Sequence, residues 1–137
     1  MGKRRIAREN ALKLLYQIDL KGKNKDKSNE GFWTRIEASE ESKEFSRQLV
    51  EGVLSNQEKI DEMIASHSTN WKLGRMAYVD RNIMRLAIYE LLFCEDIPAR
   101  VTINEAVDIA KNYGDSQSGS FVNGILDNIA KELGRKT

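Results

Sequence analysis

The sequence predicts an all-α protein: a compact bundle of about six or seven helices, forming one domain over residues 1–137. A single proline, Pro98, leaves nearly the whole chain free to be helical. Apolar residues recur at three- and four-residue spacing through most of the chain, and alternating apolar/polar runs are scarce. The stretch from Ile83 to Cys94 is apolar nearly all round, as expected of a helix in the middle of a bundle with neighbours on several sides. It is too short to span a bilayer, and the longer run from Trp71 to Cys94 that contains it is interrupted by Arg81, Arg85 and Glu90.

The first helix is expected over residues 3–20, with Ala7, Ala11, Leu14, Leu15 and Ile18 on its buried stripe. Arg5 and Arg8 then project from the opposite side. Gly22 ends the helix, and residues 22–31 form a polar, Lys-rich loop. A short helix holds Phe32, Trp33 and Ile36. Ser39 caps the next, whose first turn carries Glu40 and Glu41. Phe45, Leu49, Val53, Ile60 and Ile64 share one stripe reaching His67, with a weak point at Ser55-Asn56.

Beyond the central helix, Glu95-Asp96-Ile97-Pro98 is a stop signal. Thr102 and Glu105 have the spacing of a capping box, which places a helix start at Thr102. Ile103, Ala106, Val107, Ala110 and Tyr113 form its stripe, and Gly114 its C-terminal stop. A polar loop, residues 115–120, leads to a last helix with Phe121, Ile125, Ile129 and Leu133 on one face. Gly124, inside that helix, costs about 1 kcal/mol relative to alanine, which points to a close-packed neighbour.

The formal net charge of +1 conceals an uneven distribution. Residues 1–27 carry nine basic side chains against three acids, and residues 28–70 four against nine. Four cations at a helix N-terminus (Lys3, Arg4, Arg5 and Arg8) oppose the helix dipole, so helix stability does not account for them. A basic end on a near-neutral chain suits a polyanionic partner. The same charges would also serve as a solvated face.

Little in the chain suggests catalysis. It has no phosphate-binding Gly-rich loop, no C-x-x-C, no zincin helix and no nucleophile elbow. His67 is the only histidine, so a His-based metal site or acid/base pair lacks a second member, and Cys94 sits in the most apolar helix. Neither an enzyme nor a bound cofactor or metal is expected. The absence of a secretory leader after Met1 points to the cytoplasm.

Four blocks of sequence carry a resemblance. They are Arg8-Glu9-x-Ala11-Leu12-x-x-Leu15-Tyr16; Val79-Asp80-Arg81-x-Ile83-x-Arg85-Leu86-Ala87-x-Tyr89-Glu90-Leu91; Asp96-Ile97-Pro98 with Ile103-Asn104-Glu105-Ala106-Val107-x-x-Ala110-Lys111; and Phe121-Val122-Asn123-Gly124-Ile125-Leu126-Asp127. In this order and spacing the chain resembles the NusB family of bacterial transcription antitermination factors, over nearly its whole length except residues 21–44. The resemblance implies two small packed helical subdomains. It also implies binding of single-stranded boxA RNA from ribosomal RNA leader transcripts. The partner implied is the small-subunit ribosomal protein NusE, with other Nus factors, in a complex on RNA polymerase. By position, Lys3, Arg4, Arg5 and Arg8 match the family's basic RNA-binding start. Tyr113, Gln117, Ser118 and Phe121 match its second RNA-contacting patch, and Asp80 an acidic position facing the ribosomal protein. Ser120 departs from the pattern, because many members carry lysine there.

The chemistry agrees with those roles, since single-stranded RNA is held by cations on phosphates and aromatic faces under splayed bases. From the residues alone Phe121 reads first as the opening core residue of its helix, and with the resemblance as a stacking platform. Glu90, an acid among apolar neighbours, is expected to be buried and hydrogen-bonded. Two other readings share the all-helical fold: an RNA-positioning module like those preceding RNA cytosine methyltransferases, and a helical protein–protein adaptor.

Overall fold

A computed structural model describes residues 2–21, 29–68 and 72–135. The Gly22 stop, the lysines of the following loop and Trp71 lie outside these. Among the described residues are seven α-helices: α1 (Lys3–Lys21), α2 (Glu30–Arg35), α3 (Glu40–Ser55), α4 (Gln57–His67), α5 (Tyr78–Phe93), α6 (Ala99–Tyr113) and α7 (Ser118–Glu132), with a 3₁₀ turn at Leu73–Arg75 before α5. The buried apolar residues form one continuous cluster. No described helix is long and apolar enough to cross a membrane.

Helix α5 is the axis of the bundle, packing against α1, α3, α4, α6 and α7. Twelve consecutive residues, Asp80 to Leu91, are buried, which is why apolar side chains occur on every side of it. Its charged members are buried as well, and Arg81, Arg85 and Glu90 are each answered from a neighbouring helix. Arg81 donates two hydrogen bonds to Asp19 of α1, both 2.7 Å. Arg85 forks onto Asp61 of α4 at 2.8 and 3.0 Å and reaches Asp19 at 3.1 Å. Asp61 is therefore turned inward, towards α5. Asn82 completes the network by donating to Asp19 at 2.9 Å. Buried charges require this pairing, and the forks fix how α1 and α4 are turned about α5.

Helix α3 approaches α5 through Gly52, where a Cβ atom would overlap the Tyr89 ring. Ser39 caps α3 by accepting from the Ser42 N–H at 3.1 Å, as its sequence context suggests. The chain breaks between α3 and α4 at Asn56, whose side-chain amide donates to the Gly52 carbonyl at 2.8 Å. The stripe running from Phe45 to Ile64 thus belongs to two helices. His67 ends α4, with Nε2 on Glu132 of α7.

Two expectations for the last helices are corrected. Helix α6 starts a turn early, with Pro98 as its N-cap, and Thr102 is inside the helix. Its hydroxyl donates to Glu90 at 3.1 Å instead of capping. A buried acid on α5 outcompetes the local motif. Gly114 does end α6, but in extended backbone (φ −97°, ψ −162°) rather than the left-handed turn usual after helices. Glycine is needed there for another reason: a Cβ would strike Ser118 and the Ala110 carbonyl.

Candidate nucleic-acid interface

The basic end of α1 divides into two inward and two outward cations. Arg8 is 5% exposed and donates from Nε and Nη2 to Glu90, at 2.8 and 2.7 Å. Arg5 forks onto Glu105 of α6 at 2.6 and 2.5 Å and touches Asp108 at 3.0 Å. Neither projects away from the buried stripe as the helical wheel suggests. Leu12 and Leu15 are both buried, so the stripe is wide enough to include position 8, one turn before Leu12. Burial alone would lower the pKa of Arg8. The hydrogen bonds and charge of Glu90 outweigh it and hold the guanidinium above its ordinary value. Arg5 is likewise raised, chiefly by its hydrogen bonds to Glu105, which is itself held below the usual carboxylate range.

Lys3 and Arg4 face solvent. Lys3 makes an exposed ion pair with Glu41 at 3.0 Å, a contact worth little in water. The Arg4 guanidinium lies 4.7 Å from the centre of the Phe45 ring. These two are the cations that the first turn of α1 offers outward.

The residues expected to form a second patch are distributed over two concavities. Gln117 and Phe121 line a pocket of about 280 Å³ together with Arg75, Met76, Asp80 and Asp115. Phe121 is half-buried: it packs against the core and also lines this pocket. Ser118 is buried. Its hydroxyl accepts from the Asp115 N–H at 3.0 Å, while Asp115 accepts from the Gln117 N–H at 2.8 Å. Ser118 therefore shapes the loop that presents Gln117. Asp80, expected on a protein-facing surface, is 8% exposed and lines the same pocket as Phe121. Burial pushes its carboxyl above the usual range, with the Ser118 hydroxyl opposing and the charge of Asp115 adding to the rise.

Tyr113 belongs to a second, apolar groove of about 340 Å³ between α1 and the start of α5, lined also by Leu12, Tyr16, Leu20 and Val79. Leu20 is 57% exposed and Tyr113 39%. Burial against α1 and the nearby charge of Glu9 raise the Tyr113 phenol above its ordinary range.

Two neighbours of the Phe121 pocket are not among the site residues that the sequence suggests. Arg75 is exposed at the rim of the Phe121 pocket and makes no ion pair among the described residues. Its signal was the Lys72-Leu73-Gly74-Arg75 run, which sits outside any amphipathic stripe. Gly124 is exposed, and a Cβ there would meet nothing within 4 Å. The expected close-packed neighbour is absent among the described residues. Gly124 lies seven residues after Gln117 and three after Phe121, so it extends their face of α7 with bare backbone.

Residues 5–131 match the family model described as the NusB family. The chain belongs to the NusB family. Among curated NusB-family relatives, the transcription antitermination protein NusB of Desulfatibacillum aliphaticivorans is 47% identical over 99% of this chain and 95% of its own length. The NusB structure from T. maritima superposes with a TM-score of 0.86 at 43% identity, covering 94% of this chain and 91% of that one. A structure of the antitermination factors NusB and NusE in complex with double-stranded RNA gives a TM-score of 0.82 at 32% identity, covering 96% and 98%. The NusB family is one of transcription antitermination factors, not of enzymes.

Proposed function

We propose that this NusB-family chain binds boxA-type single-stranded RNA of ribosomal RNA leader transcripts jointly with the ribosomal protein NusE, within an antitermination complex on RNA polymerase that also contains other Nus factors. The observation that carries the RNA reading is the pocket where a half-buried aromatic, Phe121, stands beside the exposed Gln117 and Arg75. It supplies a stacking face, an amide for a base edge and a cation for a phosphate, the combination single-stranded RNA requires. The bare backbone at Gly124 leaves room for a sugar-phosphate chain to run along α7. Lys3 and Arg4 extend the cationic track onto α1, while Arg5 and Arg8 hold that helix against α5 and α6.

NusE is assigned to the apolar groove of Tyr16, Leu20 and Tyr113, because exposed apolar side chains bordering a concavity fit a protein partner better than a phosphate backbone. The solved NusB–NusE–RNA assembly supports both partners by similarity.

The test is fluorescence titration of a labelled boxA-type single strand, with and without purified NusE, alongside the same sequence as a duplex. The single strand should bind more tightly than the duplex, and NusE should increase its affinity. By linkage, RNA must raise the affinity for NusE by the same factor. Equal binding of duplex and single strand would sink the single-strand reading. No effect of NusE would sink the joint one.

A further inference from the structure

We propose that Asp80 reads the RNA sequence: its buried carboxylate accepts a hydrogen bond from the exocyclic amino group of a base held against Phe121, favouring cytosine over uracil. The inference rests on the RNA-binding reading above and specifies what its pocket selects.

Asp80 is the acid at the back of the pocket whose rim carries Gln117, Phe121 and Arg75. It is more than nine-tenths buried, and its Oδ1 atom, itself closed to solvent, has no hydrogen-bond partner among the described residues. Such an atom is expensive to maintain, because a buried acceptor left unsatisfied has lost its water without gaining a donor, the more so when charged. The other charged groups buried along α5, namely Arg81, Arg85 and Glu90, are all answered by opposite charges from other helices. Asp80 instead faces another acid, Asp115, and shares the single hydroxyl proton of Ser118 with it. Among the described residues the fold thus leaves this acceptor unsatisfied beneath the wall of the pocket that Phe121 also lines.

What would satisfy it must donate, and must be flat enough to lie beside Phe121. A cytosine amino group does both, and a carboxylate accepting from that amino group is an established base-edge pairing. Uracil presents a carbonyl oxygen at the same ring position, and two acceptors would then face each other. Met76, also in the pocket wall, has the flexible unbranched side chain that can shift to admit the base edge. A basic side chain from a protein partner would also satisfy Asp80, but the flat Phe121 face and the amide of Gln117 favour a base.

The experiment compares short oligocytidine with short oligouridine, two pyrimidine strands of equal length, on the wild-type chain and on Asp80→Asn and Phe121→Ala. Wild type should prefer oligocytidine by about tenfold. Asp80→Asn should bring the ratio close to one, because an asparagine amide can turn its NH₂ towards the uracil carbonyl. Phe121→Ala should weaken both strands alike and keep the ratio. Thermal melts of each variant establish that it is folded. An equal affinity of wild type for both strands, or an Asp80→Asn ratio equal to wild type, overturns the inference. So does an Asp80→Asn variant that loses affinity for NusE while keeping its cytidine preference, which would assign the carboxylate to the protein interface. If neither strand binds wild type, nor the boxA-type RNA with NusE present, it is the RNA-binding reading itself that fails.

Discussion

Arg8 of α1 and Glu90 of α5 are locked in a two-bond pair, 2.7 and 2.8 Å, between groups almost sealed from solvent. Thr102 adds a third hydrogen bond to the same carboxylate. Truncating one partner strands a buried charge, at about 3–5 kcal/mol. Arg8→Ala should therefore lower the urea midpoint sharply, while RNA affinity of the folded fraction stays close to wild type. A variant that melts normally but loses RNA would show Arg8 to be a contact residue.

With Arg5 and Arg8 engaged internally, the exposed cations assigned to the proposed RNA track are Lys3, Arg4 and Arg75. At roughly −0.7 per contact on a single strand, they account for a log–log salt slope of about −2. Replacing all three by alanine should flatten the measured slope by that amount and leave the melting temperature nearly unchanged. A slope unaltered in the triple variant would remove them from the RNA track.

Gly124 separates stability from binding. Gly124→Ala adds a Cβ in open space and relieves the backbone-entropy cost of a mid-helix glycine, so it should stabilise the fold by up to about 1 kcal/mol. The same methyl narrows the path along α7 and should weaken RNA binding. Tighter folding with unchanged affinity would mean the strand passes elsewhere.

Gly52 should show the opposite response. A methyl there meets the Tyr89 ring, and overpacking of this kind costs about 1–3 kcal/mol. Gly52→Ala should lower the melting temperature, and adding Tyr89→Leu should recover part of the loss. If the single variant melts like wild type, α3 and α5 are not held at this spacing.

The acids respond to pH with opposite signs. Asp19 and Glu105 have folded-state pKa values lowered from 3.8 and 4.5: the arginine and asparagine bonds on Asp19 outweigh its burial, and Arg5 dominates at Glu105. Their stabilisation is present above those values and is lost as pH falls through the lower folded ones. Asp80, raised by burial, behaves oppositely: its charged form destabilises the fold above its folded pKa, and protonation on acidification removes that penalty. Asp80→Asn should therefore raise the melting temperature at neutral pH, with the gain shrinking in acid. A gain independent of pH would rule out the charge as its source.

How far the sequence foretold all this depends on whether the deciding force is local. The apolar periodicity gave the helices to within about a turn, and the all-round apolar character of residues 83–94 placed α5 in the middle. Glu90 was legible as a buried, bonded acid because nothing else explains a carboxylate in that company. The partners of Arg8 and Arg5 were not, since Glu90 and Glu105 lie 82 and 100 residues further along the chain. The same long-range demand took Thr102 from its capping motif. In the candidate site, Gln117 and Phe121 were found by motif, but the sequence could not reveal that Asp80 shares their pocket. Nor does a helical wheel register Gly124, because its contribution is the side chain it lacks.

The wide separation between Arg5 and Glu105 also has a temporal side. During synthesis at about 5–20 residues per second, about 5–20 seconds pass between the appearance of the arginine and that of its acid. Until then Arg5 and Arg8 lack the carboxylates that later sequester them, and α1 has no finished surface to dock on. The nascent chain is therefore more strongly cationic at its leading end than the folded protein, and closing the bundle is also what neutralises it.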